Sequence, residues 1–478
     1  MKKFLLALAG GILAACSQAS SGPSVPTGVS AKFESIKDND IALREFIQAM
    51  PKGGDLHNHL FGAVYAESWI KWAEEDGLCL DKSALAIRFP SKDANGVSTC
   101  GDMPTMKAAL NFNQDLRNEV IENFSLRDFV PSPGWSGHDQ FFATFADMAA
   151  LPSRFGDMVA ETANLAGEQN IAYLELMHTM ELFETILPMV ANAPMTGDAE
   201  ADYKTLMDGK FGAALPDIVA RARKDIDIAM ARKDALLKCG TEDAMPGCAV
   251  EVRFLNQPVR TLPLSAVYAH TIFGWELMKQ DTRFVGTNLV APEDDFIALR
   301  DYDDHMEQLG YLYKTLGERN ISLHAGELWL GLVHPKELRD HITQAVHIAH
   351  AKRIGHGTDI VFETNYKDLL KYMADKKIMV EINLTSSDVL LGISGDEHPL
   401  EVYRTANVPV SLSTDDEGVA RIDLTHEYMR GTQEFDLTYA ELKDMSYNGL
   451  RYAFVDDAKK DEMIKALDEK FAAFESQF

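Results

Sequence analysis

Four short segments of the sequence place His or Asp at the end of an apolar run, a position where parallel α/β proteins often carry their chemistry. They are residues Asp55–Leu60, Leu323–Glu327, Ile354–Gly357 and Ser413–Asp416. Strand ends that converge on one face of a parallel barrel bring residues distant in the chain within coordination distance. Imidazoles together with one carboxylate suit Zn²⁺ or a similar divalent ion. The four segments therefore predict a metal site.

The ligands follow from strand geometry. Alternate side chains of a strand share a face, so His57 and His59 are expected to point together into the mouth of a barrel. His324 ends the fifth apolar run and is predicted as the third nitrogen ligand, and Asp415 ends the eighth and is predicted as the oxygen ligand. Such a set leaves one coordination position open, as catalytic zinc sites do.

Three more residues are candidates for proton transfer and substrate binding. Glu327 lies three residues beyond His324, close enough to a metal to act without binding it, and a partly desolvated carboxyl group can move protons to a substrate. His356, which glycines flank, is expected to orient or deprotonate a water molecule. Asp416 is expected to face the substrate if the loop turns both adjacent carboxylates into the pocket.

The strands and helices that must position these residues are predicted to form an α/β fold, a (β/α)₈ TIM-type barrel. Amphipathic helical stretches, such as 216–237, 302–317 and 335–351, separate most of the strand-length apolar runs, as this barrel requires. The eight predicted strands are 54–60, 171–177, 249–255, 283–290, 321–325, 353–356, 378–384 and 408–413.

Two segments between the predicted strands read as insertions. The first follows the first strand, covers about residues 77–137 and is interpreted as an insertion or lid. The second covers about residues 191–215 and is rich in Gly, Ala, Pro and Asp.

The N-terminus resembles a bacterial lipoprotein signal peptide over residues 1–16, with a charged head, a short apolar run and then Cys16 as the predicted lipidation site. Residues 17–30 are interpreted as a flexible tether and residues 31–478 as one catalytic domain. We therefore expect an exported lipoprotein that is anchored to a membrane and faces the periplasm or the cell exterior.

Four cysteines remain after Cys16. They allow three disulfide connectivities, and an exported chain meets an oxidising compartment. The two local pairs, Cys79 with Cys100 and Cys239 with Cys248, are the preferred choice, and they are expected to pin surface insertions.

Charge limits the partners of this chain. The 73 acidic and 46 basic residues give a formal net charge of -27, whereas a phosphate backbone requires clustered Lys and Arg. A nucleic acid polymer is therefore not expected, while a small neutral molecule is compatible with this composition.

Taken in order, the four motifs resemble those of the adenosine deaminase family, within the metal-dependent amidohydrolase superfamily. The resemblance extends over roughly residues 46–454, and the cysteine-bearing insertion and residues 284–294 are similar to the extracellular adenosine deaminase growth factor branch. It implies one zinc per chain, a purine nucleoside as substrate and hydrolytic loss of ammonia from C6. The oligomeric state stays open, with a homodimer as one option.

The resemblance also implies residue roles. It gives the zinc to His57, His59, His324 and Asp415, has Glu327 protonate purine N1, has His356 position the attacking hydroxide and has Asp416 share a hydrogen with N7.

The sequence departs from the family pattern at two positions. Phe61 stands where many members carry an Asp that contacts the ribose, and Ala291 aligns with a Gly whose N–H often binds the purine. Adenosine or another 6-aminopurine nucleoside therefore remains open as the substrate.

Two other functions remain open at this point. The first is a binuclear amide or ester hydrolase, in which both His324 and His356 would bind metal around a bridging Lys or carboxylate. The second is a lipoprotein that binds nucleosides without catalysis, although an intact Glu327 beside a full ligand set argues against it.

Overall fold

The computed structural model describes residues 27–93, 96–148 and 151–478. The predicted signal peptide, Cys16 and most of the predicted tether lie outside the described residues. The first helix begins at Val29, so the last two residues of the predicted tether are helical.

In the described part of the chain, eight parallel strands form the predicted TIM-type barrel. The strands β1, β6, β7 and β8 pair in that order, and β9, β10, β11 and β12 form the second half. A bridge from Thr287 to Ile321 joins β8 to β9, and a bridge from Asn58 to Asp415 closes the barrel. The strands are β1 Lys52–His59, β2 Cys79–Asp81, β3 Ala86–Arg88, β4 Ser91–Lys92, β5 Ser98–Thr99, β6 Ile171–His178, β7 Glu251–Asn256, β8 Phe284–Thr287, β9 Ser322–Ala325, β10 Arg353–His356, β11 Met379–Ile382 and β12 Val410–Leu412.

Helices connect the strands and cover the outside of the barrel. They are α1 Val29–Ile36, α2 Asp40–Ala49, α3 Leu60–Ala63, α4 Ala66–Glu75, α5 Met106–Leu110, α6 Gln114–Asn123, α7 Gly137–Asp147, α8 Phe155–Glu168, α9 Leu187–Val190, α10 Ala199–Met207, α11 Lys210–Leu236, α12 Leu264–Gln280, α13 Phe296–Arg300, α14 Tyr302–Thr315, α15 His341–His347, α16 Tyr366–Lys376, α17 Leu384–Ser386, α18 Leu400–Thr405, α19 Glu417–Ala420, α20 Leu424–Phe435, α21 Tyr439–Arg451 and α22 Asp457–Glu475. No described helix is both long enough and apolar enough to cross a membrane.

Two expectations about the helices need correction. The predicted helix 216–237 begins earlier, since α11 starts at Lys210, where Phe211 and Leu215 extend its buried face beyond Pro216. The predicted insertion 191–215 therefore contains α10 and the first turns of α11. The predicted helix 335–351 is shorter, since α15 covers only seven residues. The side chain of Glu363 accepts hydrogen bonds from the backbone N–H groups of Ile342 and Thr343 and so fixes where this helix begins.

The insertion after β1 holds four short strands and helices α5 and α6. A disulfide joins Cys79 to Cys100 inside this insertion, and a second joins Cys239 to Cys248 after α11. This is the pairing predicted from the sequence. Both bonds lie outside the barrel strands, since Cys79 is in β2 of the insertion and the other three cysteines are outside any strand, so they pin peripheral segments rather than the barrel.

The inside of the barrel contains a buried ion-pair network. Nη2 of Arg353 lies 2.6 Å from Oε2 of Glu175, and its Nε lies 2.5 Å from Oε1 of Glu381. All three side chains are fully buried. The guanidinium on β10 pairs with one carboxylate on β6 and another on β11, so this network ties the three strands together.

Candidate active site

The four predicted metal ligands meet at the carboxyl end of the barrel strands. Nε2 of His57 and Nε2 of His59 each lie 3.1 Å from Nε2 of His324. Oδ1 of Asp415 lies 3.3 Å from Nε2 of His57 and 3.2 Å from Nε2 of His59. All four side chains are buried. Ligand atoms from β1, β9 and the residues after β12 therefore surround one point.

Hydrogen bonds on the far side of each ring determine the tautomers of the three imidazoles. In each ring Nδ1 faces an oxygen that can only accept, so Nδ1 carries the hydrogen and Nε2 presents a lone pair. The acceptors are Oε2 of Glu381 for His57 at 2.7 Å, Oε1 of Gln257 for His59 at 2.7 Å, and Oδ1 of Asn288 for His324 at 2.8 Å.

This arrangement fits a metal cation. In the neutral rings, three lone pairs and a carboxylate oxygen face one another and repel, and a cation at their centre removes the repulsion. Burial disfavours a charge on His57, but Asp415 and Glu381 outweigh it and raise the pKa of His57 to about 10, so the negative potential that attracts a cation also attracts a proton. Zinc bound at about 2.0–2.1 Å sets its tetrahedral ligands about 3.3 Å apart, close to the separations seen here. Burial, together with the neighbouring His57, lowers the pKa of His324 well below its usual value, which keeps this ring neutral as a ligand must be.

The sequence did not reveal the three residues that hold the imidazoles. Gln257, Asn288 and Glu381 each lie at or just beyond a strand, and their polar types are too common there to be assigned a role. Glu381 did leave a signal, because it is an acidic residue inside the apolar run of β11. Partners of this kind orient metal-binding imidazoles and raise their basicity.

Gly355 leaves the space that His57 occupies. A Cβ atom at this position would lie 2.5 Å from Cε1 and 2.8 Å from Nδ1 of the His57 ring. Gly355 pairs with His324 on one neighbouring strand and with Glu381 on the other. The glycine before His356 therefore makes room for a candidate ligand, a role that the sequence did not indicate.

Backbone strain is concentrated at the predicted site residues. His356 and Asp415 have positive φ angles of 67° and 61°, and Ala291 has a φ of 85°. The carbonyl of Ala291 accepts a hydrogen bond of 2.7 Å from Nε of the buried Arg260, which helps to hold this conformation. Non-glycine residues adopt such angles at a cost and are enriched at functional sites.

Glu327 lies beside the ligand cluster, where a proton carrier was expected. Its Oε1 is 3.4 Å from Nδ1 of His356 and 3.4 Å from Oγ of Ser386. Burial and the nearby Asp415 carboxylate raise the pKa of Glu327 well above its usual value, so the carboxyl group tends to hold a proton. Glu293 accepts hydrogen bonds from the backbone N–H groups of Gly326 and Glu327 and fixes the turn that carries Glu327.

His356 lies beside the cluster and is not among the residues that line the cavity above it. Its ring is fully buried, burial lowers its pKa to about 3, and Nδ2 of Asn383 lies 3.4 Å from its Nδ1. Ligand atoms of His356, His57, His324 and Asp415 all lie within 4.8 Å of one another. His356 is thus near enough to orient a water molecule at the cluster.

Asp416 points into the same pocket as Asp415. Its Oδ1 is buried and has no hydrogen-bond partner among the described residues. A Cβ atom on Gly62 would lie 1.6 Å from this oxygen, so the glycine provides the room for the carboxyl group. Burial raises the pKa of Asp416 to about 7, and the carboxylate of Asp415 adds to the rise. An unpaired polar atom at this place is ready to bind a ligand.

A cavity of about 960 Å³ opens directly above the cluster. Its wall includes His59, Glu327 and Asp416 together with Ala291, as expected for residues that contact a substrate. Pockets of roughly 300–1,000 Å³ are typical of small-molecule sites. Apart from His356, the predicted catalytic and substrate-binding residues therefore border one cavity of suitable size.

Comparison with known proteins places this fold and cluster in a family. The family model described as adenosine deaminase matches residues 214–470, which is more than half of the chain. The chain belongs to the adenosine deaminase family. The matched range includes His324, Glu327, His356, Asp415 and Asp416, while the first motif lies before it.

Curated relatives match only part of their own length. The chain is 36% identical to the adenosine deaminase of Shewanella loihica over 127 residues, which are 26% of this chain and 37% of that protein. It is 28% identical to the adenosine deaminase of Clostridium perfringens over 204 residues, which are 42% of this chain and 58% of that protein. The matched region thus spans less than two thirds of each of these relatives.

Several solved structures share the fold of this protein over most of its length. An amidohydrolase from Burkholderia ambifaria with bound Zn has a TM-score of 0.55 and 16% identity, and the match covers 95% of this chain and 96% of that one. The N6-methyl-AMP deaminase of Arabidopsis thaliana has a TM-score of 0.56 and 20% identity, and the match covers 89% and 98%. At these identities the likeness shows the fold alone.

Proposed function

We propose that this protein is a zinc-dependent hydrolase that deaminates adenosine or a related 6-aminopurine nucleoside to the 6-oxo product and ammonia. The observation that carries the proposal is the convergence of three imidazole lone pairs and Asp415 on one point, with Glu327 beside it. Family membership supports the reaction type, since the relatives above are named adenosine deaminases.

One zinc ion would be held by His57, His59, His324 and Asp415. A zinc ion bound there supplies Lewis-acid chemistry and makes water a stronger nucleophile near neutral pH.

The side chains around the cluster would transfer protons, orient the water and hold the purine. Glu327, protonated in its buried position, donates to N1 of the purine and makes C6 more electrophilic. His356 accepts a hydrogen bond from the attacking water and orients it toward C6. The water oxygen bonds to C6, one water proton replaces the proton that Glu327 gave to N1, and the other reaches the amino nitrogen. The C6–N bond then breaks, C6 keeps the oxygen as a carbonyl, and ammonia leaves. Asp416 and the backbone N–H of Ala291 hold the purine by hydrogen bonds.

The binuclear alternative requires a residue that bridges two ions. Glu381 is the carboxylate at a middle strand, but its oxygens face His57 Nδ1, Ser322 and Arg353 behind the ligands. The buried Lys52 donates to three backbone carbonyls instead. Neither residue bridges two ions, which favours the mononuclear site. The non-catalytic alternative is disfavoured because Glu327 and the ligand set are intact.

An ammonia-release assay tests the proposed reaction. Zinc-loaded protein should convert adenosine or deoxyadenosine to a 6-oxopurine with one ammonia per turnover, and removal of zinc by a chelator should abolish the conversion. Glu327→Gln is the matched control. Glu327 lies outside the ligand set, so this variant should keep its zinc and still lose turnover. Absence of any ammonia from all 6-aminopurine nucleosides tested, with zinc bound, would contradict the proposal.

We also propose that the chain is an exported lipoprotein of the growth factor branch, anchored through Cys16. The two disulfides support an oxidising compartment, and the branch assignment depends on the insertion that carries Cys79 and Cys100. Cys16→Ala should abolish incorporation of radioactive palmitate and release the protein from the membrane fraction. Unchanged labelling would contradict the anchor.

A further inference from the structure

The cavity above the cluster continues well beyond the space a purine ring needs. It extends from the metal ligands past the end of β6 and along α7, α8 and α11. Six phenylalanine side chains line this outer half, namely Phe61, Phe141, Phe142, Phe145, Phe155 and Phe183. Charged residues that are exposed to solvent, such as Glu184 and Asp225, also line it. C6 and N9 lie at opposite ends of a purine, so a ring with C6 at the cluster points its N9 substituent into the aromatic half.

Phe61 stands closest in the chain to the metal ligands among these aromatic residues. It follows His59 by two residues on α3, and its ring packs 4.6 Å from Trp69 and 6.0 Å from Phe145. A sugar hydroxyl buried against these rings would find no hydrogen-bond partner on them, which is unfavourable.

Thr179 and Gln257, two polar residues of the cavity wall next to His59, are already engaged. Oγ1 of Thr179 donates to the carbonyl of Gln257, and Nε2 of Gln257 donates back to Thr179. Oε1 of Gln257 accepts from His59. These groups support the metal ligand, so they are not free for a sugar.

The cationic groups of the cavity are also engaged. Arg221 and Arg232 are the only Arg or Lys residues in its described lining. Arg221 makes two hydrogen bonds to Glu181, at 2.7 and 2.9 Å, and Arg232 makes two to Asp157, at 3.1 and 3.0 Å. Both guanidinium groups are therefore neutralised by a carboxylate. A phosphate would find no unpaired cation here.

We infer that the preferred substrate is a 6-aminopurine nucleoside whose sugar carries an apolar group in place of the 5′-hydroxyl, and that Phe61 sets this preference. The inference rests on the proposed function, which supplies the orientation of the purine. It excludes nucleoside 5′-phosphates as good substrates and makes adenosine a secondary one.

Steady-state kinetics with a substrate series test the inference. The probes are adenosine, 5′-deoxyadenosine, 5′-methylthioadenosine and adenosine 5′-monophosphate. An apolar pocket gains roughly 10- to 200-fold from one added methyl-sized group, so kcat/KM for 5′-methylthioadenosine should exceed that for adenosine by at least tenfold. The monophosphate should be the poorest of the four.

Two variants test the role of Phe61. Phe61→Asp should bring the ratio of kcat/KM for 5′-methylthioadenosine over adenosine close to or below one, with zinc content unchanged. Phe112→Asp is the matched control, because Phe112 is fully exposed and outside the cavity wall. This control should keep the wild-type ratio. A Phe61→Asp protein with the wild-type ratio would show that another residue sets the preference.

Binding separates failure of this inference from failure of the proposed function. Adenosine deaminated faster than both apolar analogues would overturn the inference and leave the function standing. If no probe is deaminated, the proposed function fails, and Kd values of Glu327→Gln protein still test the cavity. Tenfold tighter binding of 5′-methylthioadenosine than of adenosine supports the inference, and equal or weaker binding overturns it.

Discussion

Replacing Glu381 by Gln should weaken zinc binding although Glu381 is not a ligand. Its Oε2 accepts the hydrogen bond from Nδ1 of His57 at 2.7 Å and so keeps the Nε2 lone pair of that ring aimed at the cluster. Its Oε1 accepts from Oγ of Ser322 at 2.8 Å and pairs with Arg353. The substitution keeps the shape of the side chain but removes the charge that faces both His57 and Arg353.

Two effects of different size follow from these contacts. Loss of a partner behind a metal-binding imidazole typically weakens metal binding by about 10- to 100-fold, or about 1.4–2.7 kcal/mol. Loss of one carboxylate beside the fully buried Arg353 should also destabilise the fold. Breaking a buried ion pair costs about 3–5 kcal/mol, and we expect the lower end because Glu175 remains 2.6 Å from the guanidinium.

Glu175→Gln is the matched control for this experiment. It removes the other carboxylate of Arg353 but makes no contact with His57, so it should lower stability by a similar amount and leave zinc binding unchanged. Zinc affinity is measured by titration against a competing chelator. The free energy of unfolding is measured in urea on chelator-treated protein, so that bound metal does not contribute.

The comparison between the two variants decides the outcome. If Glu381→Gln binds zinc within threefold of Glu175→Gln, the carboxylate behind His57 does not tune the ligand and the reasoning is wrong. If both variants lose zinc affinity equally, the loss reflects a general loosening of the barrel rather than the contact with His57.

Three further substitutions test the arrangement of the site. Glu327→Gln should retain zinc but lower kcat by about 10²- to 10⁴-fold, because one general acid is lost; a kcat within a few-fold of wild type would assign the proton to another group. Gly355→Ala places a Cβ atom 2.5 Å from the ring of His57, and displacing the ring should cost about 1–3 kcal/mol. The amount of zinc retained after dialysis against a chelator should therefore fall. Full retention of zinc would contradict the close contact. The Cβ atom of Gly62→Ala collides with the carboxyl group of Asp416. KM should rise at least tenfold, which corresponds to about 1.4 kcal/mol of substrate binding, while zinc content stays at the wild-type level. An unchanged KM would show that Asp416 does not bind the substrate.

The fold and the convergence of the candidate ligands could be predicted because both depend on local pattern. Apolar runs of strand length fixed the positions of the eight barrel strands, and the alternation of side chains placed His57 and His59 on one face. The ligand atoms of these residues do converge with those of His324 and Asp415.

The residues that hydrogen-bond to the imidazole rings from behind could not be predicted, because these hydrogen bonds join strands that are distant in the chain. Gln257, Asn288 and Glu381 follow no spacing rule relative to the imidazoles they hold. The start of α15 escaped prediction for the same reason, since its capping carboxylate comes from Glu363, about twenty residues later in the chain. The left-handed backbone at Ala291 also has no local signal, because alanine rarely adopts it.

The most direct test of this account is anomalous diffraction at the zinc absorption edge from crystals of the purified protein. The account predicts one peak per chain, at about 2.0–2.1 Å from Nε2 of each of His57, His59 and His324 and at a similar distance from Asp415. Two peaks about 3.5–4 Å apart, with His356 as a ligand, would contradict it and indicate a binuclear hydrolase. So would the absence of any peak in protein prepared with zinc.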